Sequence, residues 1–316
     1  MNASKTGSFL TDLNLKVNPV SDRRLFKLID QLKTKQVIDY IKQHCPRREI
    51  TTPEKDASST DNVESNFKHL KVAEEKIYKI NVKHYSDERL KVVLLNDVKS
   101  VRPYILSCIV ENITFNDENF KKFIQLQTKI HDNECGKRNF ATIATHDFKK
   151  LGTNVLTYTA VPPKDLLIKP LGKGVAVTGA QLYKKLQEEA ENLRKEKKRN
   201  VYTGIHKYLY LLEGKKLYPC IVANEVVSFP PITNSDVTKV STETGSVFLE
   251  VTSSTTQEKC KQVLDALLKE MLRLLGPELQ VQQVRVTDVD GNLKAVYPSR
   301  CDLNYSTEDS IEVIRG

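Results

Sequence analysis

The densest group of residues able to do chemistry is a run of cations near the middle of the chain. We call it the basic helix end, and it comprises Arg194, Lys195, Lys197, Lys198 and Arg199. Guanidinium and ammonium groups bind phosphate oxygens, so such a cluster is typical of an RNA contact. Positive charge in the last turn of a helix is also favourable against the helix dipole and is commonly only solvated. The residues alone leave both interpretations open.

Positive charge is concentrated around this cluster. The 316-residue chain has a formal net charge of +9. Residues 161–216 hold thirteen lysine and arginine residues against six acidic residues, a net charge of +7, whereas residues 217–316 carry −5. A localised positive field is typical of polyanion binding, because phosphate contacts gain free energy from counterion release. We therefore predict RNA as a partner.

The cysteines do not form a metal-binding or redox motif. None of the six belongs to a C-x-x-C pair or has a histidine at ligand spacing, so we predict no metal and no cofactor. Three lie in the apolar runs SCIV, YPCIV and KCKQVL, which indicates reduced thiols filling a core. The six positions are Cys45, Cys108, Cys135, Cys220, Cys260 and Cys301.

Membrane and secretory classes are not indicated. The longest apolar runs, such as VLDALL, fall far short of the roughly 20 residues that span a bilayer. The beginning, MNASKTGS, lacks the charged-then-apolar layout of a signal peptide. We therefore predict a cytoplasmic protein that does not enter a membrane.

The histidines of the middle region have different predicted environments. His131 shares a helical face with Phe120 and Phe123, so we favour a hydrogen-bonded core histidine over a catalytic one. His146 and Asp147 are consecutive after the strand-like ATIAT segment, and adjacent residues of an extended chain point to opposite faces. They cannot both line one pocket unless the strand has turned. Asp147 is more typical of a cap for the next turn.

Short runs rich in Val, Ile and Tyr predict strands over EEKIYKINVKHY and RLKVVLLNDVKSVRPYILSCIVENITF. Asn116 then predicts the cap of a helix that ends near Gly136, and its apolar positions are Phe120, Phe123, Ile124 and Ile130. A second helix is predicted over residues 180–199. Its apolar stripe is Leu182, Leu186, Ala190 and Leu193, and Glu191 and Lys195 form an i,i+4 pair.

The last region predicts a helix followed by a β-hairpin. Thr255 and Glu258 form a predicted capping box, and Gly276 follows the helix. The core face of this helix comprises Cys260, Val263, Leu264, Leu267, Met271 and Leu274. The segment VQQVRVTDVDGNLKAVYP alternates on both sides of Asp290-Gly291, a dipeptide suited to a tight turn. The fold class is therefore α+β with mixed sheets.

A different pattern occupies the first 45 residues. Leu10, Leu13, Leu15 and Asn18 match one leucine-rich repeat, L-x-x-L-x-L-x-x-N. A chance amphipathic strand would match equally well, but a helix-periodic stretch follows, as expected of the cap of a repeat array. Its members are Leu25, Leu28, Ile29, Leu32, Val37, Ile38 and Ile41. One repeat exposes its apolar face unless neighbours stack on it, so the unit is expected to be the tail of an array.

The sequence predicts three parts. Residues 1–45 form the terminal leucine-rich repeat and capping helix, residues 46–75 form a flexible linker, and residues 76–316 form a second domain. The linker is polar, contains two prolines and lacks apolar periodicity.

Four collinear blocks in the second domain carry a family resemblance. They are VRPYILSCIVENITF, FIQLQTKIHDNECGKRNFATIATHDF, LTYTAVPPKDLLIKPL and the span from YPCIV to SFPPITNSD. Over roughly residues 100–255 they resemble the B3/B4 domain of phenylalanyl-tRNA synthetase β subunits. The resemblance implies a B3/B4-type mixed-sheet domain from the translation machinery. No class II synthetase signature is found in the chain, so the chain alone is not expected to make phenylalanyl-tRNA.

Three further segments resemble the family of leucine-rich repeat-containing protein 47, in which a leucine-rich array precedes a B3/B4 domain. They are QEEAENLRKEKKRNVYTGIHKYLYLLEG, SFPPITNSDVTKVSTETGSVFLEVTS and VQQVRVTDVDGNLKAVYPSRCDL. Only the last repeat matches here. The chain is therefore expected to be an N-terminally truncated form or a lineage form that lost its array.

The synthetase resemblance also implies where a site would lie. Removal of tyrosine wrongly attached to phenylalanine tRNA needs a hydrogen bond to the phenol oxygen and a positioned water at the ester. The candidate pocket residues are Thr145, His146, Asp147, Asn234 and Asp236. The synthetase loop typically reads P-P-I-I-N-G-D, and Ser235 stands here at the glycine position. Serine does not adopt positive φ freely, so the local backbone is expected to differ.

Two functions follow as alternatives. The sequence favours a non-catalytic, RNA-associated binding module of the translation machinery. The alternative is a freestanding editing hydrolase of mischarged phenylalanine tRNA, or a fragment of a synthetase β subunit. A deep, polar pocket between residues 145–147 and 234–236 would favour editing, and a space filled by side chains would favour binding. Leucine-rich repeats usually bind proteins, so protein partners are also expected.

Overall fold

The computed structural model describes residues 77–86, 88–197 and 204–316. They belong to one structural unit, Val72–Gly316. The predicted leucine-rich repeat, its capping helix and the linker lie outside the described residues, as does Cys45.

Twelve strands form one mixed sheet, and two short strands form a separate pair. The predicted α+β class with a mixed sheet is confirmed. The strands are β1 Tyr78–Lys83, β2 Lys91–Leu94, β3 Tyr104–Glu111, β4 Ala141–Asp147, β5 Val155–Val161, β6 Leu167–Ile168, β7 Val177–Thr178, β8 Tyr218–Val222, β9 Val226–Phe229, β10 Thr233–Asn234, β11 Val247–Ser253, β12 Glu278–Asp288, β13 Leu293–Tyr297 and β14 Ile311–Arg315.

The long strand β12 joins two halves of the sheet. The main path runs β10-β9-β8-β5-β2-β12-β3-β11-β4, with β1 and β13 also paired to β12 and β14 paired to β1. The first part of β12 pairs with β1 and antiparallel to β3, whereas Arg285–Asp288 pairs in parallel with β2. The two ends of the path, β4 and β10, meet at one place, where the Asn234 side chain donates to the Thr145 carbonyl oxygen over 3.1 Å.

Three α-helices accompany the sheet: α1 Asp117–Asp132, α2 Gly179–Lys197 and α3 Gln257–Leu275. Asn116 caps α1 as predicted, because its side chain accepts from the Asn119 N–H and Asn119 returns the bond to the Asn116 N–H. Both α1 and α3 contribute to the largest hydrophobic cluster, together with β3 and β11. They thereby hold one face of β4 in place.

A second cluster fills the opposite side of the sheet and includes Ile109, Leu156 and Phe248. A third lies beneath α2 and the 3₁₀ helix Gly204–Leu212, where Leu186, Leu209 and Phe229 are buried. These clusters fix β9 relative to β11. They therefore determine the distance between the two segments predicted to form the site.

Two local predictions need correction. Thr256, not Thr255, caps α3, because the Thr256 hydroxyl accepts from the Lys259 N–H at 3.1 Å. Glu191 of α2 contacts Arg194 at 3.0 Å, so a spacing of three residues replaces the predicted contact with Lys195. The hairpin prediction is confirmed, since β12 and β13 pair antiparallel and Gly291 adopts φ +83° in their turn.

Candidate functional site

A pocket of about 730 Å³ lies where the two ends of the sheet meet. Four segments line it: the middle of α1, residues 142–145 of β4, residues 228–234 around β9 and β10, and the beginning of the 3₁₀ helix Gly204–Leu212. Its volume is in the range of about 300–1,000 Å³ typical of small-molecule sites. The space between the predicted segments is therefore open, not filled by side chains.

Helix α1 supplies one wall because its apolar residues divide between two surfaces. Phe123 and Ile130 are buried in the main core, whereas Phe120 and Ile124 line the pocket. Ile124 is 45% exposed. The apolar stripe predicted from the sequence thus serves partly as core and partly as pocket wall.

Two of the five predicted pocket residues lie on the pocket lining. They are Thr145 and Asn234, joined by the hydrogen bond that connects β4 to β10. The Thr145 hydroxyl also donates to Gln127 Oε1 at 3.3 Å. These two residues shape the wall and are engaged with neighbouring protein groups.

His146 and Asp147 do not belong to the pocket, so their assignment as pocket residues is wrong. His146 is fully buried, hydrogen-bonds through Nδ1 to the Thr238 hydroxyl at 2.8 Å and contacts the Phe248 ring. Asp147 caps the 3₁₀ helix Phe148–Leu151 by accepting from the Lys149 N–H. The alternation of side chains along β4 turns His146 away from the side where Thr145 lies.

Asp236 also lies outside the pocket lining, and that assignment is wrong as well. Its carboxyl accepts from the Gly172 N–H at 3.0 Å, while its own N–H donates to the Lys169 carbonyl oxygen. These bonds hold the loop that carries Leu171, a pocket-lining residue. Ser235 adopts φ −79°, so this position makes no use of positive φ and serine fits it without strain.

Four polar lining residues were missed by the sequence analysis: Gln127, Arg138, Ser228 and Glu250. Glu250 is the one acidic residue within the apolar β11 run VFLEVTS, and a lone carboxyl in a buried strand is a signal that could have been used. The others carry no comparable signal. Arg138 and Ser228 reach the pocket through a loop and a distant strand, respectively.

Glu250 and Ser228 form the polar floor. Glu250 Oε1 accepts the Ser228 hydroxyl proton at 2.5 Å. Glu250 Oε2 lies 3.4 Å from His146 Nε2, yet neither atom makes a hydrogen bond of acceptable geometry in the described part of the chain. We therefore treat this contact as proximity, and Oε2 is an unused acceptor.

Arg138 enters the pocket wall from the loop after α1, where its backbone adopts φ +64°. Its Nη1 donates to the carbonyl oxygens of Pro231 at 2.8 Å and Ile232 at 3.1 Å. The guanidinium carbon lies 4.6 Å from the centre of the Tyr208 ring. Burial lowers the pKa of Arg138, and no carboxylate forms an ion pair with it among the described residues.

His131 is a core histidine, as predicted, although its edge reaches the lining. Its Nε2 accepts from the Ile143 N–H at 2.9 Å. Burial lowers the pKa of His131 to about 3, with a further contribution from Arg138. The ring is therefore neutral near pH 7 and its acceptor nitrogen is occupied, which excludes it as a general base.

Three lining residues hold buried polar atoms without a hydrogen-bond partner in the described part of the chain. The atoms are Gln127 Nε2, Arg138 Nε and Glu250 Oε2. Buried polar groups are nearly always hydrogen-bonded, and an unpaired one costs free energy. Two donors and one acceptor around one pocket therefore point to a polar ligand.

The basic helix end lies apart from this lining. Arg194 and Lys195 are exposed, and Arg194 pairs with Glu191. Lys197 is the last residue of α2, and Lys198 and Arg199 lie outside the described residues. Two other exposed cations, Lys207 and Lys239, line the pocket itself.

Metal and membrane features can be assessed over the described ranges. Within 77–86, 88–197 and 204–316, no group of three or more His, Cys, Asp or Glu residues could hold a metal ion. None of the helices in that part of the chain is long and apolar enough to cross a membrane. Cys108, Cys135, Cys220 and Cys260 are free and buried, whereas Cys301 is free and exposed.

Comparison with known proteins relates this region to one enzyme subunit. No family model matches the chain. The phenylalanine–tRNA ligase beta subunit of Dictyostelium discoideum is 33% identical over 210 residues, which is 66% of this chain and 32% of the relative. The Mus musculus subunit is 32% identical over 206 residues, 64% of this chain and 32% of the relative. The matched region thus spans about a third of these relatives.

A solved structure is similar as well. It is the crystal structure of an N-terminal fragment of the phenylalanyl-tRNA synthetase beta-subunit from Pyrococcus horikoshii. The likeness covers 68% of this chain and 56% of that one, with 26% sequence identity and a TM-score of 0.55. The chain therefore carries a domain similar to part of the phenylalanine–tRNA ligase beta subunit.

Proposed function

We propose that this chain binds the aminoacylated 3′ end of a tRNA in the pocket and hydrolyses the ester of a wrongly attached tyrosine. The observation that carries the proposal is the open pocket between Thr145 and Asn234, with its three unpaired polar atoms. A space filled by side chains would have favoured the non-catalytic function. The similarity to phenylalanine–tRNA ligase beta subunits supports aminoacyl-tRNA as the substrate class.

Two of the unpaired atoms fit the two ends of an aminoacyl ester. Glu250 Oε2 is an unused acceptor at the floor, suited to a phenol hydroxyl, which phenylalanine lacks. Gln127 Nε2 is an unused donor on the α1 wall, suited to an ester carbonyl oxygen. A site that hydrogen-bonds a substrate hydroxyl strongly rejects the analogue without it, because the buried polar group is then unpaired. Tyrosine would thus be preferred over phenylalanine.

Hydrolysis in this pocket relies on positioning and on stabilising the developing oxyanion. His131 is neutral and its acceptor nitrogen is occupied, and His146 and Asp147 lie outside the lining. Oxyanion stabilisation and substrate binding alone retain about 10³–10⁴-fold catalysis in a serine protease stripped of its triad. We therefore propose a modest deacylation rate that suits removal of occasional errors.

A non-catalytic recognition module is the second candidate. The observation that favours it is the orientation of His146 and Asp147, which leaves the described lining without a free general base. In this alternative the pocket binds an aminoacylated RNA end and releases it unchanged. Both candidates share the proposed RNA contact through the basic helix end, a leucine-rich repeat-containing protein 47-like identity, and cytoplasmic location.

The three-part organisation is also proposed on the sequence. Residues 1–45 would be a terminal leucine-rich repeat with its capping helix, residues 46–75 a linker, and residues 76–316 the B3/B4-type domain. The repeat would offer a surface for protein partners, as leucine-rich repeats usually do.

One experiment separates the two functions. The full chain is incubated with phenylalanine tRNA charged with labelled tyrosine, and free tyrosine is measured together with binding of a non-hydrolysable tyrosyl-adenosine amide. Release above the buffer rate supports the hydrolase. Binding of the amide without release supports the recognition module. The same tRNA charged with phenylalanine is the matched substrate control, and Glu258→Gln, an exposed change on α3, is the matched protein control.

A further inference from the structure

The charged side chains around the pocket have a marked asymmetry. Three cations line it, Arg138, Lys207 and Lys239, whereas Glu250 is the only carboxyl among the lining residues that the structure describes. Glu250 is 1% exposed and sits at the floor. Lys207 and Lys239 are exposed, and neither forms an ion pair within the described ranges. The accessible charge at the mouth is therefore positive.

Arg138 is held ready for an anion. Two backbone carbonyl oxygens fix its Nη1, and the Tyr208 ring lies against the guanidinium plane. Carbonyl oxygens and a ring orient the group but do not neutralise it, and its Nε has no partner in the described part of the chain. A partly buried, immobilised guanidinium without a carboxylate is a favourable site for an oxyanion.

Aminoacyl-tRNA carries its closest anion at a defined place. The carboxyl group of the amino acid is esterified and uncharged, so the first negative charge is the phosphodiester that precedes the terminal adenosine. We infer that Arg138, Lys207 and Lys239 bind this phosphodiester, an inference that rests on the function proposed above. The rim then recognises an RNA end, while the floor recognises the amino acid.

This assignment separates the pocket rim from the basic helix end. The basic helix end would contact phosphates farther along the RNA and so contribute affinity for any RNA. The rim would contact one phosphate only when the aminoacyl group is inside the pocket. A free amino acid offers the same oxyanion chemistry through its carboxylate, so the test must distinguish the two sources.

The test uses three probes: 3′-tyrosylamino-3′-deoxyadenosine, the same compound with a 5′-phosphate, and free tyrosine. Their dissociation constants are measured by calorimetry for the wild-type full chain, for Lys207→Ala/Lys239→Ala and for Arg138→Lys. The double variant changes exposed side chains only, so it retains the fold even if Arg138→Lys disturbs the Pro231 turn. Lys185→Ala/Lys216→Ala, two exposed lysines outside the lining, is the matched control.

We expect the wild-type chain to bind the 5′-phosphorylated probe more tightly than the unphosphorylated one. Exposed ion pairs contribute little individually, so the double variant should lose roughly 2- to 30-fold in affinity for the phosphorylated probe. Its affinity for the unphosphorylated probe should not change. The control pair should match the wild type for both probes.

Three results would overturn the inference. Equal wild-type affinity for both adenosine probes, or a phosphate preference kept in both rim variants, removes the phosphate site and leaves the proposed function standing. Loss of free-tyrosine binding in the rim variants, with no effect of the phosphate, assigns the cations to an amino-acid carboxylate. Failure of both adenosine probes to bind the wild type contradicts the proposed function as well.

Discussion

Replacing Glu250 with glutamine should reduce the preference for tyrosyl over phenylalanyl substrates without unfolding the domain. Glutamine has nearly the same shape and keeps an oxygen that can accept the Ser228 hydroxyl, now 2.5 Å from Oε1. The amide nitrogen would take the place of Oε2, 3.4 Å from His146 Nε2, to which it could donate. The unused acceptor at the pocket floor would thereby become a donor.

The size of the effect follows from the hydrogen bond that is lost. A hydrogen bond between a substrate hydroxyl and a charged acceptor contributes roughly 1.5–3 kcal/mol. The ratio of kcat/KM for tyrosyl-tRNA to that for phenylalanyl-tRNA should therefore fall by about 10- to 160-fold, because about 1.4 kcal/mol corresponds to a factor of ten. The fall should come from slower removal of tyrosine.

The assay is single-turnover release of labelled tyrosine or phenylalanine from phenylalanine tRNA. Glu258→Gln removes an exposed carboxyl from the same domain and should behave as the wild type. An unchanged tyrosine-to-phenylalanine ratio in Glu250→Gln, with a wild-type melting temperature, would refute recognition of the hydroxyl by Glu250. An equal loss for both substrates would assign Glu250 to the architecture of the pocket.

Charge reversal of the last four cations of the basic helix end should weaken binding to RNA of any sequence. The slope of log affinity against log salt should lose roughly 0.7 in magnitude per lost contact on single strands, and unaltered affinity and slope would leave the cluster merely solvated. Burial lowers the pKa of His131 to about 3 from an ordinary 6.5, so its stabilising contribution is complete above pH 6.5 and is lost as the pH falls toward 3. His131→Gln should reduce the acid slope of the unfolding free energy by up to about 1.4 kcal/mol per pH unit, which pH-dependent urea denaturation measures, and a wild-type slope would contradict this. Limited proteolysis should cleave first between Arg47 and Lys71, and early cleavage within residues 100–255 would contradict the proposed linker.

Elements set by local chemistry were predictable from the sequence. The Asn116 cap, the α3 apolar face and the β12–β13 hairpin depend on residues a few positions apart, and all appear in the structure. The capping role of Asp147 follows from the same kind of local rule. The error at Thr255 is a shift of one residue between adjacent threonines, either of which could accept the capping bond.

The site was predictable only in outline. The segments around Thr145 and Asn234 do meet, but which side chains face the pocket depends on strand orientation and on pairing between distant residues. Glu250 reaches the floor because β11 pairs with β4 and places it opposite Ala144. Arg138 reaches the wall through a loop whose direction depends on Pro231 and Tyr208. None of these relations is encoded by spacing along the chain.

A crystal structure of the full chain with 3′-tyrosylamino-3′-deoxyadenosine 5′-phosphate would test the central claim most directly. The account predicts the tyrosyl group between α1 and β4, with its hydroxyl within hydrogen-bond distance of Glu250 Oε2. The 5′-phosphate should lie against Arg138, with Lys207 or Lys239 beside it. A ligand bound elsewhere on the domain, or a pocket left empty at saturating ligand, would contradict the assignment of this pocket to an aminoacyl-RNA end.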